Sequence, residues 1–272
     1  VKIALLQMTS GIVPTLNAQT IVSAAAEAKH CGATMMFTPE MSGLIDRNRT
    51  RGRTSVRDEG DDVVLKATRA AAAEHGLWIA IGSLAISGAR DDGRLVNRSF
   101  LIDANGEIVA RYDKIHLFDV DLPTGESWRE SAAYAPGDCA VLADTPVGST
   151  GLTICYDLRF PALYAALTEA GATVLTVPAA FTVPTGQAHW HLLLRARAVE
   201  AGAFVIAAAQ TGLHEDGRDT FGHSLVVDPW GNILLDMGTE PGLGFCDLDL
   251  DDVEKVRSRI PVIAHRRAIK LK

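Results

Sequence analysis

No stretch of this chain approaches 18 apolar residues without a charge or a strong breaker, so a membrane-spanning helix is not expected. The opening KIALLQM has no basic leader, no extended apolar h-region and no small-residue cleavage site. It does not read as a signal peptide, and a cytoplasmic protein is expected. Cys31, Cys139, Cys155 and Cys246 stand far apart with no CxxC spacing, a poor framework for disulfides and a poor zinc site. There is no HExxH, and His189 and His191, two residues apart, do not share a helical face well, so no metal site is expected. Polar low-complexity runs are missing too: 11 prolines and 24 glycines are scattered, which leaves no linker and no disordered tail. Positive charge is not in excess either. With 26 basic and 33 acidic side chains the formal charge is −7, which gives a polyanion no general attraction, so nucleic acid is not an expected partner.

What is present is apolar and periodic. At 272 residues and 47% hydrophobic content the chain suits one sizeable core, and a single domain over residues 1–272 is expected. KIALLQM, ATMMFTPE and LWIAIGSL read as strands separated by two alanine-rich helical stretches, a βαβαβ order that predicts a largely parallel sheet. The second half repeats the theme with GSTGLTIC, ATVLTVPAA and AFVIAAAQ as strands around ALYAALTEAG and QAHWHLLLRARAVEAG as helices. Two hairpins, SFLIDANGEIVARYDK and SLVVDPWGNILLDM, share the pattern SxxxDxxGxI, with Asp103 matching Asp228 and Gly106 matching Gly231. The shared turn chemistry, an Asp bonding backbone ahead of it and a Gly supplying positive φ, predicts an internal pseudo-repeat of about 125 residues. Two unrelated hairpins converging on one turn type would look the same locally. Two sheets packed face to face with helices outside, a four-layer αββα sandwich, would bury such apolar strands on both faces. An open αβα sheet is the structural competitor.

Strand ends are where α/β proteins gather ligand-handling groups, and three chemically useful side chains fall there. Cys155 ends the strand of TICYDLRFP just before a helix starting at Pro161. Glu40 follows Pro39 at the end of MMFTPE, and Lys114 closes EIVARYDK among Asp113, His116 and Asp119. Each has a plain structural explanation: a buried inert thiol, a solvated or capping acid, a surface or ion-paired lysine. Together they supply a base, an ammonium and a thiol, which suffices for acyl transfer. His116 leaves open a Cys–His pairing instead, and a buried ionic network in a non-catalytic carboxylate-binding or scaffold protein is the reading outside enzymology.

On these residues the chain resembles the carbon–nitrogen hydrolase, or nitrilase, superfamily, from KIALLQM to PVIAHRR. The resemblance implies the αββα fold, a homodimer or higher homo-oligomer, no cofactor, and a Glu40–Lys114–Cys155 triad in FTPE, YDKIHLFD and ICYDLRFP. It also implies a second glutamate, Glu130 of SWRES, orienting the lysine, and an oxyanion hole made by Lys114 and the Tyr156 N–H. HLFDVDLP, RESAAYAPGD, CYDLRFP, AHWHLLLRARAVE and GHSLVVDPWG are most similar to the branch containing deaminated-glutathione amidase, with ω-amidases close by. Nitrilases proper place Trp and Glu after the cysteine, where this chain has Tyr156 and Asp157, which favours an amide over a nitrile. The implied substrate is a small anionic amide, either deaminated glutathione or an ω-amide such as 2-oxoglutaramate. Arg159, four residues past the thiol, can bind its carboxylate or pair with Asp157 or another acid. Phe181, His189 and Trp190 can line the acyl pocket or pack in the core. The arginines between Arg47 and Arg57 form either a lid that draws in anions or a solvated loop balanced by Asp58, Glu59 and Asp61.

Overall fold

The computed structural model describes residues 1–121, 125 and 127–270. The first half runs β1 (Lys2–Gln7), α1 (Pro14–His30), β2 (Met35–Phe37), α2 (Arg49–Ser55), α3 (Val63–His75), β3 (Trp78–Ile86), β4 (Val96–Ile102) and β5 (Ile108–Asp113). A small antiparallel pair, β6 (Asp119–Asp121) and β7 (Ser127–Arg129), leads into a 3-10 turn at Glu130–Ala132. The second half runs β8 (Val141–Thr145), β9 (Gly148–Leu152), a 3-10 turn at Cys155–Arg159, α4 (Pro161–Glu169), β10 (Val174–Thr176), α5 (Val183–Ala201) and β11 (Phe204–Ala207). It ends with β12 (Thr211–Leu213), β13 (Asp219–Phe221), β14 (Leu225–Val227), β15 (Ile233–Asp236), β16 (Gly242–Asp247) and α6 (Asp252–Arg259).

Two six-stranded sheets carry the same plan, in the orders β16-β1-β2-β3-β4-β5 and β8-β9-β10-β11-β14-β15. In each, three parallel strands are flanked by an antiparallel hairpin on one side and a single antiparallel strand on the other. The hairpin turns match bond for bond. Asp103 Oδ1 accepts from the N–H groups of Asn105 and Glu107, and Asp228 Oδ1 accepts from those of Trp230 and Asn232. Gly106 and Gly231 stand at φ 79° and 92°, where a side chain would be strained. The pseudo-repeat is therefore a repeat of topology as well as of turn chemistry.

Alternation along the strands builds the layers. Ile3 and Leu5 of β1, with Met35 and Phe37 of β2, join the core shared with the second sheet. Ala4, Leu6 and Met36 face the opposite way, onto Ile21, Ala24 and Ala25 of α1 and Leu65 and Ala72 of α3. Both faces of the strands are buried, as period-2 geometry requires when each sheet has a sheet on one side and helices on the other. This is the four-layer αββα sandwich, and the open αβα alternative is set aside.

One glycine lets the two halves meet at the strand ends. A Cβ on Gly82, at the irregular step of β3, would stand 2.2 Å from the Thr38 carbonyl oxygen and 2.4 Å from Pro178 Cβ. Thr38 leads into Glu40, and the Pro178 carbonyl accepts the Cys155 N–H at 2.9 Å. Any larger residue at Gly82 would push the base and the thiol apart. The arginine-rich stretch expected to be a loop contains the seven-residue helix α2, started by the Asn48 side chain accepting from the Arg51 N–H. Its charges are not balanced as the solvated-loop reading had it. Arg51 pairs with Asp46, while Glu59 goes to Arg98 and Arg111, and Asp61 to Lys66.

Candidate active site

Burial makes the polar cluster at these strand ends informative, because an unpaired charge there would be costly. Glu40, Lys114 and Cys155 are 5%, 2% and 7% exposed. The Lys114 Nζ donates to Glu40 Oε1 and to Glu130 Oε2, each at 2.9 Å. Asn97 Nδ2 bridges the same two carboxylates, at 2.9 Å from Glu40 Oε1 and 3.1 Å from Glu130 Oε1. Glu40 Oε2 accepts the Ala180 N–H at 3.0 Å, and Cys155 lines the same cavity as Glu40 and Lys114. Glu130 sits on the 3-10 turn after β7, where its Oε2 also accepts the Phe118 N–H at 2.7 Å. The expected acid, ammonium and second acid are thus joined in one hydrogen-bonded group, with the expected thiol at the same cavity.

The backbone supports this cluster under strain. Cys155 stands at φ 49° and Met41, next to Glu40, at φ 55°, both left-handed positions unfavourable for a residue with a Cβ. Gln210 holds the Glu40 carbonyl through its Nε2 at 2.9 Å. Asp157, fully buried, accepts the Ile154 N–H and the Tyr112 hydroxyl on Oδ2, and the His116 N–H and Nδ1 on Oδ1. It anchors the turn that carries the thiol.

Charge and burial set the protonation states. Burial alone would raise the Glu40 pKa, but the Lys114 ammonium and the hydrogen bonds from Lys114 and Asn97 outweigh it and hold the carboxyl below its ordinary 4.5. For Lys114, burial works toward the neutral amine, and the charges of Glu130 and Glu40 overcome it, so the ammonium is kept well above the usual range. Burial and the Glu40 charge push the Cys155 thiol well above 9.0, against the pull of Lys114. At neutral pH the resting cluster is thiol, carboxylate and ammonium. Such a set can move a proton from sulfur to carboxylate as sulfur attacks, with a fixed cation beside the developing oxyanion.

The cluster opens on a cavity of about 610 Å³, lined also by Tyr156, Phe181, Trp128, Tyr134 and Arg218. Several of the other expected site residues lie elsewhere. Arg159 is not a lining residue: its guanidinium packs over the rings of Tyr156 and Phe181, 6.0 and 5.6 Å from their centroids, with His189 Nδ1 at 3.4 Å. Nor does it pair with Asp157, whose oxygens are taken by the four bonds above. His189 is exposed on α5, away from the cavity lining. Trp190, 1% exposed, turns into the core, where it packs on Phe181 and donates its Nε1–H to the His223 carbonyl. His116 is committed to Asp157 and stacked on Phe160 at 3.6 Å, which removes the Cys–His pairing. His191 has no partner in His189; it shares Asp236 with His223, the three ligand atoms lying within 4.8 Å of one another. Leu122 and Pro123 of the HLFDVDLP motif lie outside the described residues. Among the described residues, no helix is long and apolar enough to cross a membrane.

Asn97, Asp157, Trp128 and Arg218 were not singled out as site residues from sequence. Asn97 had a signal: an amide inside the strand VNRSFLI needs partners once that strand is packed in a sheet.

A strained, buried cysteine sharing its base with a lysine, at the facing strand ends of an αββα sandwich, defines a thiol-dependent hydrolase. The chain belongs to the carbon–nitrogen hydrolase family, whose pattern, described as Carbon-nitrogen hydrolase, matches residues 2–258. It is a cysteine-dependent carbon–nitrogen hydrolase, and the inert scaffold reading is set aside. The deaminated glutathione amidase of Yersinia enterocolitica is 38% identical over 269 residues, covering 98% of this chain and 93% of that protein. The NitFhit protein of C. elegans superposes with a TM-score of 0.90 at 37% identity, over 98% of this chain and 65% of that one, so this chain spans just under two thirds of it. A mutant of the amidase from Nesterenkonia sp. AN1 superposes with a TM-score of 0.82 at 30% identity, over 98% and 94% of the two chains. That structure shows covalent addition of the acetamide moiety of fluoroacetamide at its active site cysteine.

Proposed function

We propose that this chain hydrolyses deaminated glutathione to 2-oxoglutarate and cysteinylglycine through a thioester on Cys155. The observation that carries this is the Glu40 carboxylate paired with the Lys114 ammonium, at 2.9 Å, at the cavity that Cys155 also lines. Glu40 takes the thiol proton as sulfur attacks the amide carbonyl. The oxyanion is stabilised by Lys114 and by the N–H of Tyr156, in the first turn of the 3-10 segment, where no acceptor exists within the turn. Protonated Glu40 then passes the proton to the departing amine, whose C–N bond breaks. A water that gives its proton to the same carboxylate attacks the thioester, the C–S bond breaks to release the acid, and Glu40 returns the proton to the Cys155 sulfur. Glu130 keeps Lys114 charged and aimed. The alkylated cysteine of the Nesterenkonia amidase supports the nucleophilic role given to Cys155, although that adduct keeps its amide and is not a thioester. The substrate is supported by the name of the Yersinia relative and by a cavity in the size range of pockets for ligands much larger than a five-carbon amide.

Comparing kcat/KM for deaminated glutathione, 2-oxoglutaramate and an aliphatic nitrile tests this directly. Deaminated glutathione is expected to be turned over at least about tenfold more efficiently than 2-oxoglutaramate, a gap of about 1.4 kcal/mol in transition-state binding. The nitrile is expected to be inert. Preference for 2-oxoglutaramate would move the assignment to an ω-amidase.

A homodimer belongs to the same proposal. Leu192 and Val199 of α5, 68% and 52% exposed, lie seven residues apart on one helical face, and Trp230, Ile233 and Leu234 add exposed apolar surface on the β14–β15 hairpin. Leu192→Glu is expected to shift the sedimenting species from dimer to monomer. A parent chain that sediments as a monomer at micromolar concentration would remove the proposal.

A further inference from the structure

Four buried side-chain polar atoms lack a hydrogen-bond partner among the described residues, and three of them belong to residues lining the catalytic cavity: Arg218 Nε, Trp128 Nε1 and Asn97 Oδ1. Buried polar groups are nearly always paired, so this concentration at one place points to a ligand. Two of the three are donors on side chains that touch. The Arg218 guanidinium lies 4.8 Å from the centroid of the Trp128 ring, and Arg47 lies over the same indole at 5.3 Å. Arginine and the indole N–H donate and never accept, so what satisfies both is an acceptor, and a negative charge suits the cations.

Arg218 is poorly compensated by the protein itself. Its side chain is 19% exposed, and its nearest carboxylate, Asp216, stands 3.7 Å away, beyond hydrogen-bond distance. Burial, with the Arg47 charge adding to it, works against the guanidinium's own charge. It is presented by the loop between β12 and β13, closed by the His214 N–H donating to the Arg218 carbonyl at 2.7 Å. This fixes the backbone and leaves the side chain directed at the cavity.

Position relative to the triad decides which part of a substrate would arrive there. Glu40 hands a proton to the departing amine, so whatever the amine carries extends past Glu40. Arg218 lines the same cavity as Glu40. Of the other arginines lining the cavity, Arg49 and Arg53 donate to the Arg129 and Gly93 carbonyls, Arg129 pairs with Asp121, and Arg47 lies over the Trp128 ring. Arg159, outside the lining, covers the Tyr156 and Phe181 rings.

From this geometry we propose that Arg218 and Trp128 form a carboxylate clamp for the leaving group, holding the glycine end of cysteinylglycine through the Arg218 guanidinium and the Trp128 Nε1–H. The assignment rests on the amidase reading above, and it makes these two side chains the source of preference for a long anionic amide over a short one.

The test compares substrates that share the acyl part. Deaminated glutathione carries a carboxylate beyond the scissile bond, and 2-oxoglutaramate, which releases ammonia, does not. Arg218→Gln is expected to lower kcat/KM for deaminated glutathione by about 10- to 100-fold, mainly through KM, as for loss of a charge-assisted hydrogen bond. The loss on 2-oxoglutaramate is expected to be at least about tenfold smaller. Trp128→Phe, which keeps an aromatic ring and removes the donor, is expected to act in the same direction by about 3- to 10-fold. Turnover of 2-oxoglutaramate reports that each variant is folded. Equal losses on both substrates would overturn the clamp by giving Arg218 to the acyl end or to the fold, and so would no loss on either. If the parent enzyme takes 2-oxoglutaramate but not deaminated glutathione, the substrate assignment fails separately. The clamp is then judged on 2-oxoglutaramates N-substituted with glycine or with glycinamide: a parent preference for the glycine compound that Arg218→Gln abolishes supports it, and an unchanged ratio overturns it. A parent with no amidase activity ends both proposals.

Discussion

Cys155→Ala is expected to cut amidase turnover by at least about 10⁴-fold, as removal of a covalent nucleophile does in hydrolases that work as a unit. The size of the effect follows from the surroundings of the sulfur. The nearby hydroxyl of Thr153 is bonded to the Tyr164 hydroxyl at 2.8 Å and to the Thr176 carbonyl at 2.7 Å, and so is not free to substitute. Water attacking the amide directly would still have Glu40 and Lys114, but it would need a binding position of its own beside the carbonyl. Stability should move little. The variant keeps a Cβ at φ 49°, so the backbone strain is unchanged, and the atom removed is one sulfur. Steady-state hydrolysis of deaminated glutathione checks the loss, with thermal melting as the control on folding. Mass spectrometry of the parent, quenched during turnover, should show a 2-oxoglutaryl adduct on Cys155. A variant retaining more than about one per cent of parental activity would show that the chemistry runs elsewhere.

Legibility from sequence tracked how local the cause was. The turns at Asp103–Gly106 and Asp228–Gly231 were readable because each is decided within five residues by an Asp acceptor and a glycine at positive φ. Glu40 and Cys155 were readable because each ends an apolar strand, whereas Lys114, after the mixed strand IVARYD, gained its role beside them through the family resemblance. Glu130 came only through family resemblance, since it rides a 3-10 turn after a three-residue strand, with no periodicity to mark it. Trp190 and His189 were misplaced for a different reason. Phe181 precedes α5 and reaches the cavity, but the helix then turns Trp190 inward with Leu194, Arg197, Ala198 and Ala201, and leaves His189 about 100° away, facing outward. That phase depends on packing against the second sheet and its hairpin. Arg218 and Trp128 were missed because their meaning is relational: an arginine in a hairpin loop and a tryptophan in a short strand matter only once stacked, and they lie 90 positions apart in the chain.

Glu40→Gln isolates the proton from the framework, and kcat is expected to fall by about 10²- to 10⁴-fold, the range for loss of a general base. The framework should survive. A glutamine oxygen can still accept from Lys114 and Asn97 at the cost of the Ala180 N–H bond, and Lys114 keeps Glu130 at 2.9 Å, so the buried ammonium is not left unpaired. The thiol itself changes in the opposite sense. Glu40's negative charge is one of the forces holding Cys155 protonated, and with it gone the Lys114 ammonium draws the thiol pKa down from its raised value. Alkylation of Cys155 by iodoacetamide is therefore expected to persist in the variant while turnover is lost, separating nucleophilicity from proton handling. The pH profile carries the same signature. Because the Glu40 pKa is depressed below 4.5, parental kcat/KM should stay flat as the pH falls through the ordinary carboxyl range and decline only below it, and the variant should lack that acid limb. Stability is linked with the same sign: the contribution from Glu40 is complete above the unfolded value near 4.5 and is lost as pH falls through the lower folded value. An inflection of the parental profile at pH 6 to 7, or a variant with kcat within about tenfold of the parent, would take the base role away from Glu40 and with it the sulfur-to-carboxylate proton transfer on which the mechanism turns.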